Sequence, residues 1–153
     1  MKKVLLLLMA LGSFTAFGQD SFSEADAKKV IDVFFEGFHK GDTLQMRSVI
    51  GEEVVMQTAF MDTSGNNRLN TGSLQNLLNA IADRPEAQQW EERLLDYKVQ
   101  IDGNLAHVWT PYEFWLNGEF SHCGANAFTL VKSDDGWKII HLIDSRRRAS
   151  CRE

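Results

Sequence analysis

Side chains able to move a proton or grip a polar ligand gather late in the chain. Glu113, His122 and Asn126 lie in "YEFWLNGEFSHCGANAF" (112–128), and Asp144 and Arg146 follow. A carboxylate beside an imidazole raises the imidazole pKa toward neutrality and orients its ring. Under a substrate, Glu113 and His122 would form a proton shuttle; on a wet rim the same pair is a cross-strand contact worth ~0.2–1 kcal/mol. Asn126, Asp144 and Arg146 supply an amide, an acceptor and a planar donor fork. Enclosed, that trio suits a carboxylate or carbonyl ligand; otherwise it is an ion pair closing the end of a sheet. Trp109, Trp115 and Phe128 are interleaved with them, either as ligand walls or as core. The choice turns on which of these residues share a face.

Two reversals set that face. Asn117-Gly118 between apolar runs is the strongest short hairpin signal, because both residues accept positive φ. A two-residue turn there sets Trp115 opposite Phe120, Glu113 opposite His122 and Trp109 opposite Asn126. Alternation then gathers Trp109, Glu113, His122, Asn126 and Phe128 on one side. "SDDG" (133–136) marks the next reversal. A three-residue loop with Gly136 left-handed puts Phe128 opposite Leu142 and Asn126 opposite Asp144, so that Ile140, Leu142, Asp144 and Arg146 join the same side. A four-residue loop would instead bring His141 and Ser145 there. Pro111 has no N–H to donate, which marks an edge or a bulge within its strand.

The elements that must hold this wall read helix first, then sheet. Ser23 caps a helix on which Ala27, Val30, Ile31, Phe34 and Phe38 follow helical spacing, with Gly41 as its stop. Asp42 caps a short second helix. Residues 52–62 have strand composition, 63–72 read as a turn-rich loop, and Ser73 opens a third helix ended by Pro85. From Gln88 onward the chain reads as β, with Arg93, Leu95, Tyr97, Val99 and Ile101 alternating. The expected fold class is α+β, a curved antiparallel sheet wrapped around N-terminal helices.

"MKKVLLLLMALGSFTAFGQ" has the charged start, short apolar run and small residues of a secretory signal peptide, with cleavage expected after Gly18. The run is too short to span a bilayer. Residues 19–153 then form a single domain. Loss of Lys2 and Lys3 takes the net charge from −5 to −7, a poor balance for binding nucleic acid. The basic cluster near Arg146, Arg147 and Arg148 reads as a solvated tail. Cys123 and Cys151 are a disulfide candidate in an exported chain; the alternative is a reduced pair with one member buried. His39 reads as a surface residue at a helix C-terminus. The four histidines lack metal-ligand spacing, and neither a phosphate loop nor a nucleophile elbow appears.

With "SHCGANAF", "DGWKI" and "DSRR", the chain resembles the nuclear transport factor 2-like superfamily, the cystatin-like α+β cone, over its whole length after the leader. It is similar in particular to exported bacterial members labelled "putative lumazine-binding". The resemblance implies a curved sheet, three helices, a pocket at the wide end of the cone and a homodimer through the outer face of the sheet. Isomerases of the superfamily carry a tyrosine on the first helix and two buried acids on the sheet. The first helix here offers phenylalanines instead, and no second buried acid is evident. The expected function is therefore binding of a small, partly apolar molecule, without cofactor or metal. The alternatives are a cofactor-free isomerase, dehydratase or cyclase with His122 and Asp144 as base and acid, and a protein-interaction dimer.

Overall fold

The computed structural model describes residues 22–151; the expected signal peptide lies outside them. Ser23 caps α1 (Glu24–Lys40) through a capping box with Asp26, and Gly41 ends the helix at φ 76°. The apolar stripe of α1 buries Ala27, Ile31, Phe34 and Phe38 against the sheet, as 3.6-residue periodicity requires. Asp42 caps α2 (Thr43–Ser48), and Ser73 caps α3 (Leu74–Ala82), which buries Leu78 and Ile81. No helix among the described residues is long and apolar enough to cross a membrane.

Seven strands form one sheet: β1 (Ile50–Met61), β2 (Asn67–Gly72), β3 (Trp90–Leu94), β4 (Lys98–Asp102), β5 (Leu105–Leu116), β6 (Glu119–Ser133) and β7 (Gly136–Arg147). Their order is β2-β1-β7-β6-β5-β3, with β4 also paired to β5. The fold is α+β as expected, although the sheet is mixed, because β1 runs parallel to β7 and the other pairs are antiparallel. Two segments differ from their sequence reading. Residues 67–72, expected within a loop, form β2 and widen the sheet. The run after Gln88 is two strands, and Leu95 falls in the break between them, where its N–H donates to the Pro111 carbonyl. Pro111 thus sits where β5 changes partner from β4 to β3.

The β5–β6 register decides the composition of each face. The turn is as expected: Asn117 and Gly118 take φ 53° and 79°, with Trp115 opposite Phe120. Ser121 is then an extra residue on β6, so that Phe114 lies opposite His122 and Glu113 opposite Cys123. One inserted residue exchanges the faces of everything beyond it. In the β6–β7 pairing Ser133 meets Gly136 across a two-residue loop, and the extra residue comes later, at Ile140. The pairs Phe128–Leu142 and Asn126–Asp144 nevertheless arise as anticipated. Ile139, not Ile140, takes the place opposite Leu130.

Candidate functional site

The concave face of the sheet and the aromatic side of α1 enclose a cavity of about 690 Å³. Phe34, Phe35 and Phe38 line it from the helix, with Trp90, Phe114 and Leu142 from the strands. The polar groups that line the same cavity are Glu92, His122, Asn126, Asp144 and Arg146, with Glu92 and His122 beside Phe114. The arrangement follows from the ladder, in which Thr58 pairs with Asp144 and Asp144 with Asn126, so that their side chains point the same way.

Asp144 is held on several sides. Its Oδ1 accepts a hydrogen bond from Thr58 Oγ1 at 2.6 Å, its Oδ2 accepts one from the Tyr112 hydroxyl at 3.2 Å, and Arg146 Nε stands 3.4 Å from Oδ2. Tyr112 reaches it because the opposing residue is Gly124. A Cβ at Gly124 would stand 1.7 Å from the Ser145 carbonyl oxygen and 2.8 Å from the Tyr112 ring, so only glycine fits. Burial, with the charge of Asp144 next, raises the Tyr112 pKa and keeps its phenol protonated.

Glu92 is the acid that the sequence reading did not include. It sits on β3 between inward-facing Trp90 and Leu94, opposite Phe114, and its Oε1 accepts from Asn126 Nδ2 at 2.7 Å. Burial, and secondarily the charge of Asp144, pushes its pKa up to about 8 against the opposing Asn126 hydrogen bond. Its carboxyl is therefore mostly neutral at pH 7. The signal was present as Trp90-x-Glu92-x-Leu94, an acid midway between two apolar residues at strand spacing. Counting the alternation from Arg93 onward selected the wrong parity. A second, partly buried acid and a sheet-borne tyrosine, Tyr112, thus stand where the sequence suggested neither.

His122 is 7% exposed, stacks on Phe114 at 4.8 Å between centroids and contacts Ser121 Oγ through Nδ1 at 3.1 Å. Burial first, then Arg146 and Arg148, pushes its pKa down to about 4. It is a neutral imidazole at pH 7, the reverse of the carboxylate-raised shuttle that a facing Glu113 would have made. His39 also differs from its surface reading. It is partly buried, its Nε2 accepts the Glu92 N–H at 2.9 Å, and burial lowers its pKa.

Of the residues singled out in the sequence, His122, Asn126, Asp144 and Arg146 share the cavity. Phe128 lies on the same face but is fully buried behind Phe34 and Phe35, at centroid distances of 5.9 and 6.1 Å. Trp109 and Glu113 are placed on the outer face by the extra residue at Ser121. There Trp109 is 41% exposed and Glu113 accepts from Trp115 Nε1 at 3.1 Å. Cys123, also facing outward, is bonded to Cys151, with Cα atoms 5.7 Å apart. Among the described residues no group of three or more histidine, cysteine or acidic side chains is placed to hold a metal ion.

Comparison with known proteins agrees with this architecture. The profile of the family described as "Putative lumazine-binding" matches residues 23–142. No curated protein matches the chain. Among solved structures, an NTF2-like protein from Cytophaga hutchinsonii superposes with a TM-score of 0.65 at 12% identity, over 82% of this chain and 99% of the other. A protein of unknown function with a cystatin-like fold from Nostoc punctiforme gives 0.63 at 11%, over 83% and 95%. The CaMKII hub of S. rosetta gives 0.59 at 17%, over 79% and 94%. At such identities these likenesses establish the fold alone. The chain therefore belongs to the putative lumazine-binding family, and its fold is that of the NTF2-like and cystatin-like proteins.

Proposed function

We propose that this protein is an exported cone domain that binds a small, partly apolar molecule in the cavity between α1 and the sheet. The observation that carries the reading is the division of the cavity wall. Phenylalanine and tryptophan rings form one part, and Glu92, Asn126, Asp144, Arg146 and neutral His122 form the other. Ligand pockets have this composition, with apolar walls for affinity and a few placed polar groups for orientation. The family's description supports a binding role. Export rests on the leader sequence. Self-association through the outer face is supported by the exposure of Trp109 and Leu105 there. Native mass spectrometry of the protein purified from its own host tests the reading: a reproducible small-molecule adduct is expected, and an empty protein that takes up no added ligand overturns it.

A second reading, a cofactor-free isomerase, dehydratase or cyclase, is favoured by one observation. Two carboxyls, Glu92 and Asp144, face one cavity in unlike surroundings, the condition that separates an acid from a base. Glu92, a neutral carboxyl at pH 7, takes the acid's part that the sequence reading gave to Asp144, and His122, a neutral imidazole, keeps the form a base requires. Its test is exchange of α-protons for deuterium in ketone ligands, followed by NMR. Exchange that Glu92→Gln and Asp144→Asn each abolish supports catalysis, and absence of exchange in a bound ketone removes it.

A further inference from the structure

We propose that the ligand is an organic ammonium ion, an amine carried on an aromatic or apolar body, seated against the Glu92 carboxyl and the rings around it. The proposal rests on the ligand-binding reading and names the chemical class of the ligand.

Three features point to a cation. Phe38, Trp90 and Phe114 stand with centroids 5.9, 6.4 and 6.5 Å apart, none of the pairs parallel. Trp90 already has the Arg84 guanidinium 5.2 Å from its ring centre, and His122 stacks on Phe114 at 4.8 Å. Glu92 follows Trp90 by two residues on β3 and pairs directly with Phe114. Ring faces are electronegative and attract an ammonium within about 6 Å, the more so when water is excluded. The acid in this ring cluster is also free to act. Both Asp144 oxygens already accept hydrogen bonds, whereas Glu92 is met only at Oε1. No buried side-chain oxygen among the described residues lacks a partner, so Glu92 Oε2 opens onto the cavity. The balance of charge agrees. Arg146 is turned to Asp144, leaving Glu92 as the carboxyl with no cation of its own. An anionic ligand would meet the Asp144 carboxylate and a second carboxyl with no positive charge to spare, whereas an ammonium can take the place of the proton on Glu92.

The proton balance is explicit. The ligand enters as R–NH₃⁺, the Glu92 carboxyl releases its proton to solvent, and an ammonium–carboxylate pair remains. One proton leaves for each amine bound while Glu92 is protonated in the empty site. Tyr112 on β5 and Asp144 and Arg146 on β7 act on the Glu92 carboxyl; His39 on α1 accepts its backbone N–H, and His122 on β6 lines the same cavity. Burial lowers the pKa of both histidines below the ordinary imidazole value and raises that of the Tyr112 phenol, so the released proton is assigned to Glu92.

Calorimetric titration of the full chain with tryptamine, indole-3-ethanol and indole-3-acetate tests the assignment. Tryptamine is expected to bind with an affinity rising about tenfold per pH unit from 6.5 to 8 and level above, because one proton is released per ligand. Heats in buffers of different ionisation enthalpy should report that proton directly. Glu92→Gln should weaken tryptamine at least about 30-fold at pH 8, as loss of one partner of an enclosed charge pair does, and weaken indole-3-ethanol, which carries no charge, by far less. Equal affinity for indole-3-ethanol, or tryptamine binding without proton release, overturns the ammonium assignment and leaves a binding cavity in place. Failure of all three compounds to bind, in a protein without a native adduct, removes both.

Discussion

Replacing Glu92 by glutamine is expected to stabilise the empty protein, by an amount that grows with pH. The glutamine oxygen can still accept from Asn126, so the change removes an ionisation and keeps the shape. In the fold the carboxyl pKa is pushed from 4.5 to about 8. A group with a raised folded pKa contributes stability that is fully present below its unfolded value and is lost as pH climbs toward the folded value. At pH 7 the unfolded chain has already released this proton while the folded chain has not. Roughly 2.5 pH units at about 1.36 kcal/mol each give a penalty of about 3 kcal/mol. For a domain of this size that corresponds to about 10 °C in Tm. His122 acts in the opposite sense. With its pKa lowered to about 4, its contribution is present above 6.5 and lost as pH falls from there. Where the two ranges overlap, from about 4.5 to 6.5, their slopes cancel. Stability of the natural chain should therefore be level there and fall by about 2 kcal/mol between pH 6.5 and 8. Urea denaturation of both proteins from pH 5 to 8.5 measures this. The curves should diverge with rising pH, with the Glu92→Gln variant flat above 6.5. Parallel curves would refute both the burial argument and the neutral carboxyl at the centre of the site.

Further expectations are open to the same assays. Gly124→Ala should cost about 3 kcal/mol or more, because its Cβ would collide with the Ser145 carbonyl oxygen and the Tyr112 ring; thermal unfolding near wild type would contradict the close strand approach. His122→Phe, which keeps a ring against Phe114, should turn the level stretch into a rise of stability as pH falls from 6.5 to 4.5, because the Glu92 slope is then unopposed; a stretch that stays level would show that His122 is not held neutral. Opening the Cys123–Cys151 bridge by replacing both cysteines with serine should cost about 3–4 kcal/mol on the loop-entropy account, read as a lower denaturation midpoint with a steeper slope, because the unbridged denatured chain is more expanded. Trp109→Ala should leave ligand affinity untouched, since the ring is on the outer face, and any loss of binding would reverse that placement.

How far the sequence reaches is clearest along β5 and β6. The Asn117-Gly118 reversal, the three helix caps at Ser23, Asp42 and Ser73, and the apolar stripe of α1 are local chemistry, set by residues within one turn of each other. All of them stand in the fold as the sequence states them. The shared face of His122, Asn126, Asp144 and Arg146 was legible as well, because these residues lie on β6 and β7 beyond the extra residue at Ser121. The placement of Trp109 and Glu113 was not. A strand's side chains repeat every two residues, so one extra residue exchanges inside for outside along all that follows. That residue is fixed by how two long strands bend together, not by the identity of Ser121. Glu92 was hidden for a related reason. Its burial depends on where β3 breaks from β4, and its protonation depends on Asn126, Asp144 and Phe114, which are distant in the chain. Local sequence determined the elements and the inventory of polar groups; the curvature and pairing of the sheet decided which groups face the cavity and which carry charge there, because burial and Coulomb energy depend on neighbours in space.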